Sequence, residues 1–178
     1  MSDQYLLNSA AMDRVQIRSR PAPPRSGLPG VRAPRSLRWL LACALALAAS
    51  AHAQLPEMAL TINGHMLTAE VARTDPARTE GLMHRRILPE NRGMLFVFRE
   101  VALHAMWMMN THVPLSVAFL DEKGVIINIE DMQPQTESNH CARKPARYAL
   151  EMSQGWFAQR GIKPGARLGG IDRAPRPQ

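Results

Sequence analysis

Cysteine is nearly missing. The 178 residues hold two, Cys43 and Cys141, and only Cys141 follows residue 53. One thiol closes no intramolecular bridge, so a disulfide scaffold is excluded for that part of the chain. Long apolar runs are missing too. The longest extends from Trp39 to about Ala49, well short of the roughly 20 residues that span a bilayer as a helix. No paired carboxylates, Gly-Xaa-Ser-Xaa-Gly elbow, phosphate loop or zinc-type Cys/His spacing occurs. No catalytic residue is therefore assigned, no cofactor is implied, and the balance leans away from an enzyme. There are no internal repeats.

Nucleic acid is excluded as a partner by where the charge lies. The formal charge is +7, but residues 1–53 hold seven arginines against Asp3 and Asp13. Residues 54–178 hold 15 basic against 13 acidic side chains, interspersed. That pattern lacks the basic stripe that follows a phosphate backbone.

The basic region belongs to a leader. Arg35 and Arg38 precede the apolar stretch, and Ala51-His52-Ala53 supplies a small-x-small cleavage site. Leu40-Leu41-Ala42-Cys43 is not read as an acylation box, because Arg38 lies too close to Cys43 for an apolar core between them. Residues 1–53 are thus expected to be a disordered basic region plus a signal peptide cut near Ala53. Residues 54–178 are expected to form one domain, periplasmic or secreted, without a stable transmembrane segment.

That domain reads as mainly β. Asn63-Gly64 joins strands over Met58–Ile62 and His65–Ala72, since both residues accept the positive φ of a type I′ turn. Thr74-Asp75-Pro76 starts a helix expected to run to about His84, with Gly81 inside it at a cost of about 1 kcal/mol relative to alanine. Strands follow at Met94–Phe98, Leu103–Met109, Leu115–Leu120, Val125–Ile129 and Arg147–Met152. Ser153 is read as the cap of a short helix that Gly161 ends. A last strand is expected over Ala166–Ile171, with a frayed tail from Asp172. Short strands and frequent turns predict a small β-sandwich or barrel-like domain with one or two short α-helices.

Several elements, in one order, carry a family resemblance. They are Gly81-Leu82-Met83 with Arg85, Gly93 through Phe98, Trp107-Met108, Asn110-Thr111, Pro114-Leu115, and Ala118-Phe119. Asp121 with Gly124, Ala149-Leu150-Glu151, Gly155, and Gly161-Ile162 through Gly165 complete the set. Over roughly residues 58–171 the chain resembles domain of unknown function 192. The resemblance implies a compact, mainly β fold, often behind a signal sequence, and no established activity. The family's usual Lys, Asp and Asp are replaced here by Met109, Ser116 and Ala166. A charged functional pair built on that Lys and an Asp would be missing.

Candidate ligand-binding residues are Trp107, Met108, Asn110, Thr111, Arg85 and Glu151. Asn110-Thr111 stands where a strand gives way to a loop, with Trp107 as a stacking wall; a turn-capping role is the alternative. Glu151 ends an apolar strand and can serve as a general acid or base, or pair with Arg85 or Arg147. On a strand His104, Met106 and Met108 share one face, a ligand set suited to Cu(I); core packing of these methionines is the alternative. His140-Cys141 is read as a loop thiol rather than a nucleophile pair. Three functions remain open. The first is a non-enzymatic envelope module for a small polar molecule, a glycan or a protein partner. The second is copper handling, and the third is a hydrolase-like enzyme using Glu151. Oligomeric state is not legible.

Overall fold

The computed structural model describes residues 54–178. The leader, Cys43 and the cleavage site at Ala53 lie outside the described residues. Strand β1 (Glu57–Ile62) and strand β2 (His65–Ala72) form the expected hairpin, with Ile62 opposite His65. Asn63 at φ 48° and Gly64 at φ 83° make the turn. Helix α1 (Asp75–Glu80) follows, its first turn capped by the Thr74 hydroxyl, which accepts from the Ala77 N–H at 3.3 Å.

The helix stops short of His84. Gly81 leaves it at φ 52°, and a Cβ there would stand 3.2 Å from the Phe96 ring. Gly81 is thus a terminator at a close approach, not a costly interior residue.

Strand β3 (Arg92–Ala102) runs parallel to β2. Strand β8 (Ala146–Ser153) lies antiparallel to β3, β5 (Leu115–Leu120) lies on β8, and β6 (Ile126–Met132) lies on β5. A two-residue β9 (Leu168–Gly169) lies on β1. The resulting order is β6-β5-β8-β3-β2-β1-β9. The sheet curls into a half-barrel, and its two ends meet at a bridge between Val125 and Arg167. The Ile126 N–H donates to the Ala166 carbonyl at 2.9 Å across the same seam. The fold is mainly β, barrel-like, with two short helices.

Four local expectations are corrected. The strand expected over Leu103–Met109 reduces to β4 (Ala105–Met106), paired with β7 (His140–Cys141) in a separate two-stranded sheet. Its apolar content reflects a segment folded against the main sheet, where Met108 is fully buried. Ser153 ends β8 and caps nothing. Helix α2 (Trp156–Gln159) instead begins after Gly155 at φ 78°. Gly161, at φ 64°, does end it, with the Ile162 N–H reaching back to the Phe157 carbonyl at 2.9 Å in a Schellman motif. The last strand shortens because Gly170 turns at φ 87° into a 3₁₀ turn over Ile171–Arg173. The tail is not frayed. Arg173 donates to the Ala59 carbonyl at 2.9 Å, and the Gln178 N–H to the Arg73 carbonyl at 2.7 Å.

The period of two along each central strand sorts side chains onto two faces. Leu95, Val97, Leu150 and Met152 join Leu60, Ile62, Trp156 and Phe157 on one face. Met94, Phe96, Phe98, Val117, Phe119 and Ala149 occupy the other, covered by Leu82, Met108 and Ala142. Glu151 alternates with Leu150 and Met152, so it falls on the second face.

Candidate functional site

Glu151 stands on the central strand β8, opposite Met94 of β3 and Val117 of β5. It is 3% exposed. Its carboxyl enters no hydrogen bond or ion pair among the described residues, and it opens onto a cleft of about 130 Å³. Burial alone pushes its pKa up to about 8, because an apolar setting penalises the charged form. At neutral pH the group is therefore a protonated acid, able to donate one hydrogen bond and accept others.

The cleft walls come from three elements. β3 supplies Phe96 and Phe98, the turn after α1 supplies Leu82 and Met83, and the 105–111 segment supplies Met106, Trp107 and Thr111. Trp107 is 46% exposed, which keeps part of the indole in water. Thr111 is buried and held by its backbone, its N–H on the Met108 carbonyl at 3.1 Å and its carbonyl on the Gln135 N–H at 3.1 Å. Its hydroxyl has only a long contact, 3.4 Å, to the Met109 carbonyl.

Two charged residues of α1, Arg78 and Glu80, also line the cleft. Arg78 is already engaged. It donates to the carbonyls of Arg73 at 2.6 Å, Val97 at 2.9 Å and Gln178 at 3.1 Å, and it pairs with Asp75.

Trp107, Thr111 and Glu151, named from sequence, thus come together. Met106, of the set His104, Met106 and Met108, lines the same cleft, and the other candidates do not join them. Arg85 forms a bidentate pair with Glu70, at 2.5 and 2.7 Å, and hydrogen bonding to Glu70 raises its pKa further. It lines a second cleft, of about 350 Å³, that shares Glu80 and Gly81 with the first. Arg147 reaches the carbonyls of Phe98 and Arg99 and the Glu122 carboxylate. Neither expected partner of Glu151 pairs with it. Met108 is a core residue. Asn110 is exposed in a left-handed turn (φ 56°), where its carbonyl accepts from the His84 N–H at 2.8 Å.

His104, Met106 and Met108 have three different surroundings. His104 stacks on Phe98 at 3.7 Å, with Nε2 2.9 Å from the Glu100 carbonyl. Met106 lines the Glu151 cleft, and Met108 is in the core. Cys141 is exposed on β7. Among the described residues no group of three His, Cys, Asp or Glu side chains is placed to hold a metal ion.

Phe96, Phe98, Leu82 and Met83 were not foreseen as site residues. Alternation along Met94–Phe98 does put both phenylalanines on Met94's face. What was missing was the pairing of Met94 with Glu151, which no local pattern encodes.

Residues 58–170 match the family profile of DUF192, described as "Uncharacterized ACR". No curated protein matches the chain. Crystal structures that resemble it include these two. One is a protein described as a "putative transcription regulator" from Sinorhizobium meliloti 1021. It is 36% identical at a TM-score of 0.64, over 67% of this chain and 98% of that one. The other is a protein of unknown function from Novosphingobium aromaticivorans DSM 12444. It is 31% identical at a TM-score of 0.63, over 68% of this chain and 90% of that one.

Proposed function

The chain belongs to the DUF192 family, which carries a fold and no assigned activity, and from its cleft we propose an exported envelope module that binds a small polar molecule. One observation carries the reading. A carboxyl on the central strand, in a residue only 3% exposed, has no hydrogen-bond or ion-pair partner among the described residues, and its oxygens are not fully occluded where it faces a cleft. Polar groups are buried at a cost of about 1–3 kcal/mol unless something satisfies them, and a ligand in this cleft would do so. Apolar walls with a few convergent polar groups are the usual make-up of a small-molecule site. Here Phe96, Phe98 and Leu82 are the walls, and Glu151 and Thr111 the polar groups. Trp107 provides a stacking surface at a position water still reaches.

Fragment titration followed by amide NMR tests the site. Shifts should concentrate at Phe96, Trp107, Thr111 and Glu151, and Trp107→Ala should weaken binding about tenfold or more. Hits confined to the Arg85–Glu70 cleft would refute it. Export rests on the leader sequence and is tested separately, by fractionating producing cells and sequencing the mature N-terminus, expected at Gln54.

The elevated pKa also favours a second reading, Glu151 as a general acid. A carboxyl that keeps its proton to about pH 8 is suited to protonating a leaving group near neutrality. Chromogenic ester, phosphate and glycoside panels would then show turnover that falls above pH 8 and vanishes in Glu151→Gln.

A further inference from the structure

We infer that the Glu151 cleft takes a small organic cation, an alkylammonium head with a short apolar tail. This deepens the binding reading above and rests on it. The lining decides the sign of the charge. Glu151, the Thr111 hydroxyl oxygen and the thioethers of Met83 and Met106 are acceptors or groups able to become acceptors. Glu80 adds a second carboxylate at the same cleft. Among the described residues the cationic side chain at the cleft is Arg78, and its two terminal nitrogens are already engaged by three carbonyls and Asp75, so no uncommitted positive charge awaits an anion there.

Charged and titratable groups facing Glu151 are few. Arg78 and Glu80 come from α1. The flanking strands present Met94, Phe96 and Val117, and the 105–111 segment presents Met106, Trp107 and Thr111; none of these side chains is a charged group. Among the described residues the carboxylate therefore has no counter-ion, and a ligand that brings positive charge supplies one. The rings of Phe96, Phe98 and Trp107 favour the same ligand, since aromatic faces attract cations within about 6 Å.

Size limits the class. A cavity of about 150 Å³ holds benzene, so about 130 Å³ admits roughly six non-hydrogen atoms. Binding is then coupled to a proton. The acid form of Glu151 releases its proton to solvent, and the carboxylate left behind pairs with the incoming ammonium group. The ammonium keeps its own protons, because its pKa is near 10.4.

The test uses the full chain and three probes of matched length: n-propylamine hydrochloride, n-propanol and sodium propionate. Calorimetry is run from about pH 6 to pH 9 in two buffers of different ionisation enthalpy. Propylammonium should bind, with affinity rising up to tenfold per pH unit and levelling near pH 8. Its heat should report release of up to one proton below that pH. Glu151→Gln should weaken it at least tenfold at pH 8. Should that variant not fold, proton release by the native chain decides alone. Propanol bound without proton release, and more weakly above pH 8, would overturn the cation assignment and leave the binding cleft standing. Propionate as the best ligand would also overturn it. Silence from all three at millimolar concentration would overturn both.

Discussion

Replacing Glu151 by glutamine should make the protein more stable, and increasingly so as pH rises. The carboxyl has a pKa of about 8 in the fold against an ordinary 4.5. Below pH 4.5 both folded and unfolded chains hold the proton, and the residue adds no pH dependence. Between about 4.5 and 8 the folded chain keeps a proton that the unfolded chain has released. Stability therefore falls with rising pH across this window by about 1.4 kcal/mol per unit, and levels off above it. The full loss is about 5 kcal/mol, a third or more of what a typical domain has. Glutamine is nearly isosteric, neutral at every pH, and leaves the rest of the fold in place. Urea unfolding of both proteins at several pH values isolates the effect, because all other titrating groups cancel in the difference. From pH 5 to pH 9 the native chain should lose about 4 kcal/mol relative to the variant. With a urea slope of about 1–3 kcal/mol per molar, the midpoints should separate by more than about 1 M. A difference constant within about 1 kcal/mol across that range would mean that Glu151 ionises freely in the fold, and would remove the basis of the site.

Three further outcomes follow from placement alone. Gly93→Ala should cost more than about 3 kcal/mol, because its Cβ would stand 2.3 Å from the Glu151 carbonyl oxygen and 2.4 Å from the Met152 sulfur; a thermal melt shifted by only a degree or two would contradict the β3–β8 register. Ser116, where the family usually has Asp, accepts from the Gly155 N–H at 2.9 Å and donates to Asp131 at 2.5 Å. Ser116→Asp should destabilise by placing two carboxylates together, and adding Asp131→Asn should recover most of the loss in a double-mutant cycle; equal melts for the single and double variants would refute the link. Arg85→Ala should cost about 1 kcal/mol, since its pair with Glu70 is partly exposed at 35% and 17%. It should leave propylammonium titration unchanged, whereas a tenfold effect would join the two clefts functionally.

What was legible in the sequence was local. Asn63-Gly64 specified its hairpin because two positive-φ residues between alternating strands admit few other turns. Thr74 and Pro76 marked a helix start through a hydroxyl and a fixed φ. The helix end is not legible locally, because a glycine in a helical pattern reads as an interior residue, whereas its φ of 52° and the Phe96 ring make Gly81 the stop. The stretch Leu103–Met109 was apolar enough for a central strand, yet most of it is an irregular cover segment. Burial by packing and burial by pairing leave the same composition. Trp107, Thr111 and Glu151 were identified singly, and their meeting depends on registers between β3, β5 and β8 that link distant parts of the chain. The Arg85–Glu70 pair, rather than the Arg85 or Arg147 alternatives for Glu151, depends on the same kind of long-range register.

The sheet itself sharpens the case for a ligand. Glu151 is flanked by the buried stretches 93–98 of β3 and Leu115–Leu120 of β5, and its neighbours on the same strand, Leu150 and Met152, are fully buried. An apolar residue of similar volume at this position would remove the unpaired carboxyl and raise stability above pH 4.5. Three arginines that could have neutralised it are tied elsewhere by specific bonds: Arg78 to carbonyls and Asp75, Arg85 to Glu70, Arg147 to Glu122 and two carbonyls. A carboxyl that burial disfavours in its charged form, that lacks a partner among the described residues and that faces a cleft is the pattern expected where stability yields to function. Loss of propylammonium binding in Glu151→Gln, together with the gain in stability, would show that one carboxyl causes both.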